Sequence, residues 1–172
     1  MRILLIKLIF FFSLIGTSFS NENIRFININ FIINNSDAGK NLNQILDNRN
    51  NKISDELNVI GKKLEEKKNK IISQKNIIKK EEFENLVKDY DNEVKKFNEL
   101  RKKKTDEFNS FSINSKKKII DLLNPLITSY LKKESIQLLL QKDKIIFGDD
   151  TLDITKDILK LFNDKHQKIK FE

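Results

Sequence analysis

The residues able to carry catalysis are few and poorly placed for it. His166 is the one histidine in 172 residues and stands in a polar C-terminal stretch, DKHQK, where a solvated helix end is expected rather than a general base. Gly39-Lys40 has the ending of a phosphate-cradling loop, but Asn34 occupies the place of the first glycine and Asn41 that of the serine or threonine. Glu65-Glu66 and Glu81-Glu82 are paired carboxylates set among lysines on helices, a pattern that makes solvated charge ladders. With no cysteine, disulfide frameworks and thiolate metal sites are excluded. No enzyme activity, cofactor or metal is expected.

The chemistry that remains is electrostatic. The formal charge is +8, and its excess is concentrated: residues 52–118 hold 19 basic against 13 acidic side chains, while residues 21–51 and 119–172 are balanced. A basic middle attracts anionic partners, whether acidic polypeptide, lipid head groups or nucleic acid.

The elements that must position this charge can be read from the pattern. MRILLIKLIFFFSLIGTSFS places Arg2 and Lys7 ahead of an apolar run from Leu8 to Ile15, and Ser18 and Ser20 supply a small-residue cleavage pattern. This reads as a secretory signal cut after Ser20. An uncleaved anchor is the alternative, but the run is shorter than the ~20 residues a spanning helix needs. Export, with no aromatic stacking platform, argues against a specific nucleic-acid partner.

Between Lys52 and Lys118 there is no proline, and apolar residues recur every three or four positions. Ile53, Leu57, Ile60, Leu64, Ile71 and Ile78 form one heptad stripe, with Lys67 and Gln74 as polar interruptions. Phe83, Val87, Tyr90, Val94, Phe97, Phe108 and Phe111 form a second, interrupted by Arg101 and Lys104. The phase breaks between Ile78 and Phe83, which predicts an antiparallel helical hairpin with its tip near residues 76–82 and an arm roughly 45 to 60 Å long. One continuous helix with a stutter is the competing reading. The polar stripe residues make the arm only marginally stable and able to bend. Ile71, Ile72, Ile77, Ile78, Phe83 and Leu86 gather apolar surface at the tip, beside lysines, and are the expected contacts for a loosely held partner.

The chain ends, 21–51 and 119–172, should form the base of that arm. IRFININFII, from Ile24 to Ile33, reads as a strand running into a turn and a cap at Asn34, Asn35 and Ser36. IQLLLQ from Ile136 and KIIF from Lys144 read as a hairpin across Lys142-Asp143. Thr155 is expected to N-cap a final helix with Ile154, Ile158, Leu159, Leu161 and Phe162 on its apolar face, and Pro125 to kink or interrupt the helix returning from the arm. Three short strands leave exposed edges, so Ile24, Phe26, Ile136, Leu138, Leu140, Ile145 and Phe147 are assigned to strands that self-associate. The fold class is mostly α with a small β part: a coiled-coil hairpin arm projecting from a small oligomerisation body.

This layout resembles the Skp/OmpH family of periplasmic chaperones for outer-membrane proteins, over essentially all of the chain after the signal. The resemblance is carried by IQLLLQKDKIIFGDDTLDITKDILKLFN (Ile136–Asn163), by SDAGKNLNQIL (Ser36–Leu46) with its A-G-K, and by EEFENLVKDYDNEVKKF (Glu81–Phe97) as a return helix. It implies a homotrimer with a β-barrel-like body and three arms enclosing unfolded outer-membrane proteins in the periplasm, without ATP. It also implies a basic patch for lipopolysaccharide or other anionic lipid. Arg101, Lys103 and Lys104 match basic positions there, with Lys95, Lys96 and Lys102 beside them. Two departures stand out: Glu93 occupies a position where that patch has another base, and the glycine often found before the IQLLLQ-type strand is missing. A structural or adhesive coiled-coil protein of the envelope would share the signal, the heptads and the oligomer, and would bind a folded partner instead.

Overall fold

The computed structural model describes residues 23–166 and 168–171, so the signal sequence read from residues 1–20 lies outside the described residues. In chain order the elements are β1 (Ile24–Ile27), α1 (Ile29–Asn35), α2 (Asp37–Gln74), α3 (Lys80–Lys133), β2 (Leu138–Gln141) and α4 (Thr155–Lys165). Two single 3-10 turns, Lys142–Lys144 and Asp150–Leu152, precede α4. Helices α2 and α3 form the antiparallel hairpin, joined through residues 75–79, two separate helices rather than one with a stutter. Both run unbroken from base to tip, since α2 begins at Asp37 and α3 ends at Lys133.

The main core cluster sits in the base, apart from Leu64 and Ile71, which are buried in the arm. Ile27 of β1, Ile32 of α1, Leu42 of α2, Ile119 and Leu123 of α3, and Ile158 and Phe162 of α4 are fully buried in one cluster. Every element except β2 and the 3-10 turns therefore contributes a completely buried side chain, which fixes the root of the arm.

The first strand stops earlier than the strand read over Ile24–Ile33. The Asn28 side chain accepts the Phe31 N–H at 2.9 Å and caps α1. Beyond it Ile29, Ile32 and Ile33 pack at a helical spacing. Ser36 caps α2 in the same way, its hydroxyl accepting the Gly39 N–H at 3.1 Å. The junction between α1 and α2 is tight: a Cβ on Gly39 would stand 1.7 Å from the Ile33 carbonyl oxygen.

The predicted hairpin is not formed. β2 pairs in parallel with β1, Ile24 opposite Leu138 and Ile27 opposite Gln141, and it is the only strand partner of β1 among the described residues. A two-residue hairpin turn requires positive φ, and Lys142 and Asp143 do not adopt it. They enter a 3-10 turn instead, and the other edge of β1 is met by Asp153 in a single bridge to Phe26. Ile145 and Phe147 are therefore outside any strand, as is Ile136, which packs on the core just before β2. The sheet is an open pair of strands.

One further expectation needs correction, and at Pro125 an interruption of the helix is excluded. Thr155 is the first residue of α4 and not its cap. Its hydroxyl accepts the Asn28 N–H at 2.8 Å, tying the two ends of the chain, while the Asp153 carboxylate accepts the Thr155 N–H at 2.9 Å. Pro125 lies inside α3, which continues through it. Pro125 is exposed, so the carbonyl that loses its helical donor there is free to meet water, which lowers the cost of keeping the helix.

Candidate functional site

The arm is built on the two heptad stripes. Leu64 and Ile71 of α2 are buried and Ile53, Leu57 and Ile60 half-buried, facing half-buried Phe83, Val87, Tyr90, Val94, Phe97 and Phe108 of α3. Phe111 is buried where the arm meets the base, with the Arg49 guanidinium 3.7 Å from its ring centre.

Two of the four polar stripe residues, Lys67 and Lys104, are cross-links between the helices. Lys67 Nζ donates to Glu93 Oε1 at 2.7 Å, and Lys104 Nζ donates to Glu56 Oε2 at 2.9 Å, each pair bridging α2 to α3. The Glu56 carboxylate, through that hydrogen bond and its charge, holds the Lys104 ammonium above its ordinary pKa. These pairs and the Arg49–Phe111 contact are what the sequence reading missed. The signal was present as lysines at positions where the stripe demands leucine, but recognising their partners required the register of the hairpin.

Packing along the seam is incomplete. Two hollows flank Phe97. One, of about 430 Å³, is floored by Ile60, Leu64, Phe97 and Leu100. The other, of about 460 Å³, lies against Gly61, whose missing side chain leaves room beside the Phe97 ring.

Of the residues assigned to hold a partner at the tip, Ile72 and Ile77 are the open ones, 59% and 80% exposed. Ile71 is buried in the seam and Ile78, Phe83 and Leu86 are half-buried. The basic residues of α3 do not share a face. Lys95 and Lys102 stand one heptad apart on one side, Lys96 and Lys103 on the next, and Arg101 has the phase of the seam yet is exposed. Lys104 is half-buried with Glu56, and Lys103 comes no nearer than 3.9 Å to Glu107. Among the described residues no carboxylate lies within 4.0 Å of Lys95, Lys96, Arg101 or Lys102. Glu93, the departure noted in the sequence, is the residue that pairs with Lys67.

At the base, the residues assigned to self-association divide. Phe26 is buried beneath Gly148 and the Lys142 ammonium, Ile24 and Ile145 are half-buried, and Leu138, Leu140 and Phe147 are exposed. Leu138 and Leu140 stand bare on one face of β2, and Ile146 and Phe147 lie open nearby in sequence. The loop carrying that pair is pinned by the Lys142–Asp153 ion pair.

His166 and Gly39, weighed in the sequence for catalysis, are engaged in structural contacts. His166 closes α4, its ring against Phe162 with centroids 5.1 Å apart, and the Gly39 N–H is already taken by Ser36. Among the described residues no three His, Asp or Glu side chains are grouped to hold a metal, and no helix is long and apolar enough to cross a membrane.

A long basic hairpin rooted in a base that joins both chain ends is a distinctive arrangement, and it can be compared with known proteins. The family model described as outer membrane protein (OmpH-like) matches residues 23–162. The chain belongs to the OmpH-like family. A crystal structure of a candidate outer membrane chaperone (OmpH-like) from Caulobacter crescentus CB15 superposes with a TM-score of 0.78 at 14% identity, covering 91% of this chain and 94% of that one. At that identity the likeness is one of fold, and it extends over the OmpH-like hairpin and base together. No curated protein matches significantly.

Proposed function

We propose that this OmpH-like chain is a periplasmic holdase that captures unfolded outer-membrane β-barrel proteins without ATP and prevents their aggregation. The observation that carries this reading is the seam of the arm: two long helices held by exposed ion pairs, hollow beside Phe97, and dressed with unpaired lysines and open isoleucines. Such a surface binds many sequences weakly, because no contact is strong and each can rearrange. Unfolded β-barrel chains alternate apolar and polar residues and are often acidic, so the charge of residues 52–118 draws them in and the apolar tip holds them.

The bare face of β2, with Ile146 and Phe147, supports assembly into a homotrimer whose three arms enclose the client and supply avidity. Export after cleavage near Ser20 completes the reading, and anionic lipid or lipopolysaccharide is a further partner for the cations of α3. Release follows when the client folds into a membrane, a state the arms do not bind.

The test is light scattering after dilution of a urea-unfolded outer-membrane β-barrel protein, with and without the exported chain. Suppression by a modest molar excess, with capture slowed by added salt, is the expected result. Unchanged scattering with a folded, oligomeric chain would overturn the holdase reading in favour of a structural envelope protein. Salt-independent capture would remove its electrostatic part.

A further inference from the structure

The hollow on the Lys96 side of Phe97 has the makings of a binding site. Its floor is apolar, its volume is about 430 Å³, and Lys63 and Lys96 stand at its rim. Neither lysine has a carboxylate within 4.0 Å among the described residues. The rim also holds Glu93, but its charge is already matched by Lys67 at 2.7 Å. An apolar floor under two free cations selects an amphiphilic anion: an aromatic or branched aliphatic group with a carboxylate beside it.

The length of the hollow decides between sources of such a group. It runs along α3 from Glu93 to Leu100, about two helical turns or roughly 10 Å, and the Lys67–Glu93 pair stands at one end. That span accommodates one large side chain and its polar neighbours. It is too short for the acyl chain of a membrane lipid, which would have to continue past the ion pair.

We infer that this seam hollow seats single aromatic or aliphatic side chains of an unfolded polypeptide, with an adjacent aspartate or glutamate meeting Lys63 and Lys96. The inference rests on the capture reading above and gives it a place on the arm: the client is gripped within the seam of each hairpin as well as enclosed between hairpins. A seat of this size binds any sequence offering the pattern, and weakly, so many seats must act together.

The experiment places a benzoylphenylalanine photocrosslinker at Leu100, on the floor, and in a second chain at Glu99, which points to solvent. Each is irradiated with a urea-unfolded β-barrel protein, with a dansylated acetyl-Asp-Phe-Asp-Leu-Asp peptide, and with dioleoyl phosphatidylglycerol vesicles. Crosslinks to both polypeptides from position 100 and not from 99 are expected, with about a fivefold lower yield in the Lys63→Gln, Lys96→Gln chain. Both lysines are exposed, and circular dichroism verifies that this variant keeps its helices. Equal yields from the two positions, yields indifferent to the lysine changes, or preferential labelling by the lipid would each overturn the assignment. If the peptide crosslinks at position 100 while aggregation of the β-barrel protein is not suppressed, the seat stands and the holdase reading falls.

Discussion

Lys67 and Glu93, joined at 2.7 Å, lie thirteen residues before and after Lys80, and two further contacts share that centre of symmetry. Glu56 and Lys104 are each twenty-four residues from it, and Arg49 and Phe111 thirty-one. The spacings along α2 are seven and eleven residues, the repeats after which a helix presents the same face again. The hairpin thus keeps one register from base to tip, and each of the three contacts sets a cation of one helix against a side chain of the other. With side chains 29–50% exposed, the ion pairs are screened by solvent and leave the arm loosely closed.

Replacing the two seam lysines should stiffen the arm. Lys67→Leu with Lys104→Leu restores the apolar stripe, and Glu93 and Glu56, both substantially exposed, stay solvated after losing their partners. The double variant should be more stable by about 1–2 kcal/mol in urea unfolding followed at 222 nm. If looseness is what lets the arm accept unlike clients, the same variant should capture an unfolded β-barrel protein more slowly. A stiffer arm with undiminished capture would mean that seam flexibility is unrelated to binding.

Gly39 tests the root of the arm. A methyl group there would overlap the Ile33 carbonyl, which belongs to backbone and has no rotamer into which to retreat. Gly39→Ala should cost about 3 kcal/mol or prevent folding of the base, because α1 must move away from α2. The Gly61→Ala change is the control: its Cβ would come no closer than 3.9 Å to Phe97 and fills part of a hollow. It should be neutral or stabilising by a few tenths of a kcal/mol in the same unfolding experiment.

Ser135 sits between α3 and β2 with φ 53°, the one positive φ among the described residues that are not glycine. The resemblance read from the sequence implies a glycine before this strand; here a serine adopts the left-handed conformation. Ser135→Gly removes the clash of Cβ with the backbone and should raise stability by about 1 kcal/mol, visible as a shift of the urea midpoint at unchanged slope.

The arm was legible because its information is periodic. Two stripes and one phase break near Ile78 define two helices and a turn without reference to anything distant in sequence. The base was less so, because its elements are decided by contacts across the chain. Whether Ile29 to Ile33 continues a strand depends on Asn28, whose side chain caps α1 while its amide donates to Thr155, 127 residues away. KIIF has every local feature of a strand, yet Lys142 and Asp143 enter a 3-10 turn instead of the hairpin turn that would fold it back on β2. The seam hollow escaped notice for a similar reason: Lys63 and Lys96 are ordinary solvated lysines until the hairpin register brings them to one rim.

Acid should loosen the loop that presents Ile146 and Phe147. Burial alone would raise the Asp153 pKa, but hydrogen bonds from Lys142 and from both the hydroxyl and amide of Thr155, with the Lys142 charge, hold it below the usual carboxylate range. Asp149, bonded by the Thr151 amide and hydroxyl, is lowered as well. A carboxylate with a depressed folded pKa contributes its stabilisation in full above the unfolded value near 3.8 and loses it as pH falls through the folded one. Asp153→Asn should therefore be less stable than the parent by roughly 1–2 kcal/mol at pH 7, and the gap should close on acidification below about pH 4. Urea titrations at pH 7, 5 and 3 read this directly. Because the loop carries the exposed apolar pair assigned to self-association, sedimentation velocity on the same samples should show the parent dissociating in the acid window where its stability falls. Asp153→Asn should show weaker association already at pH 7. A variant that associates like the parent at neutral pH would separate the loop from the assembly surface and leave the bare face of β2 to hold the oligomer.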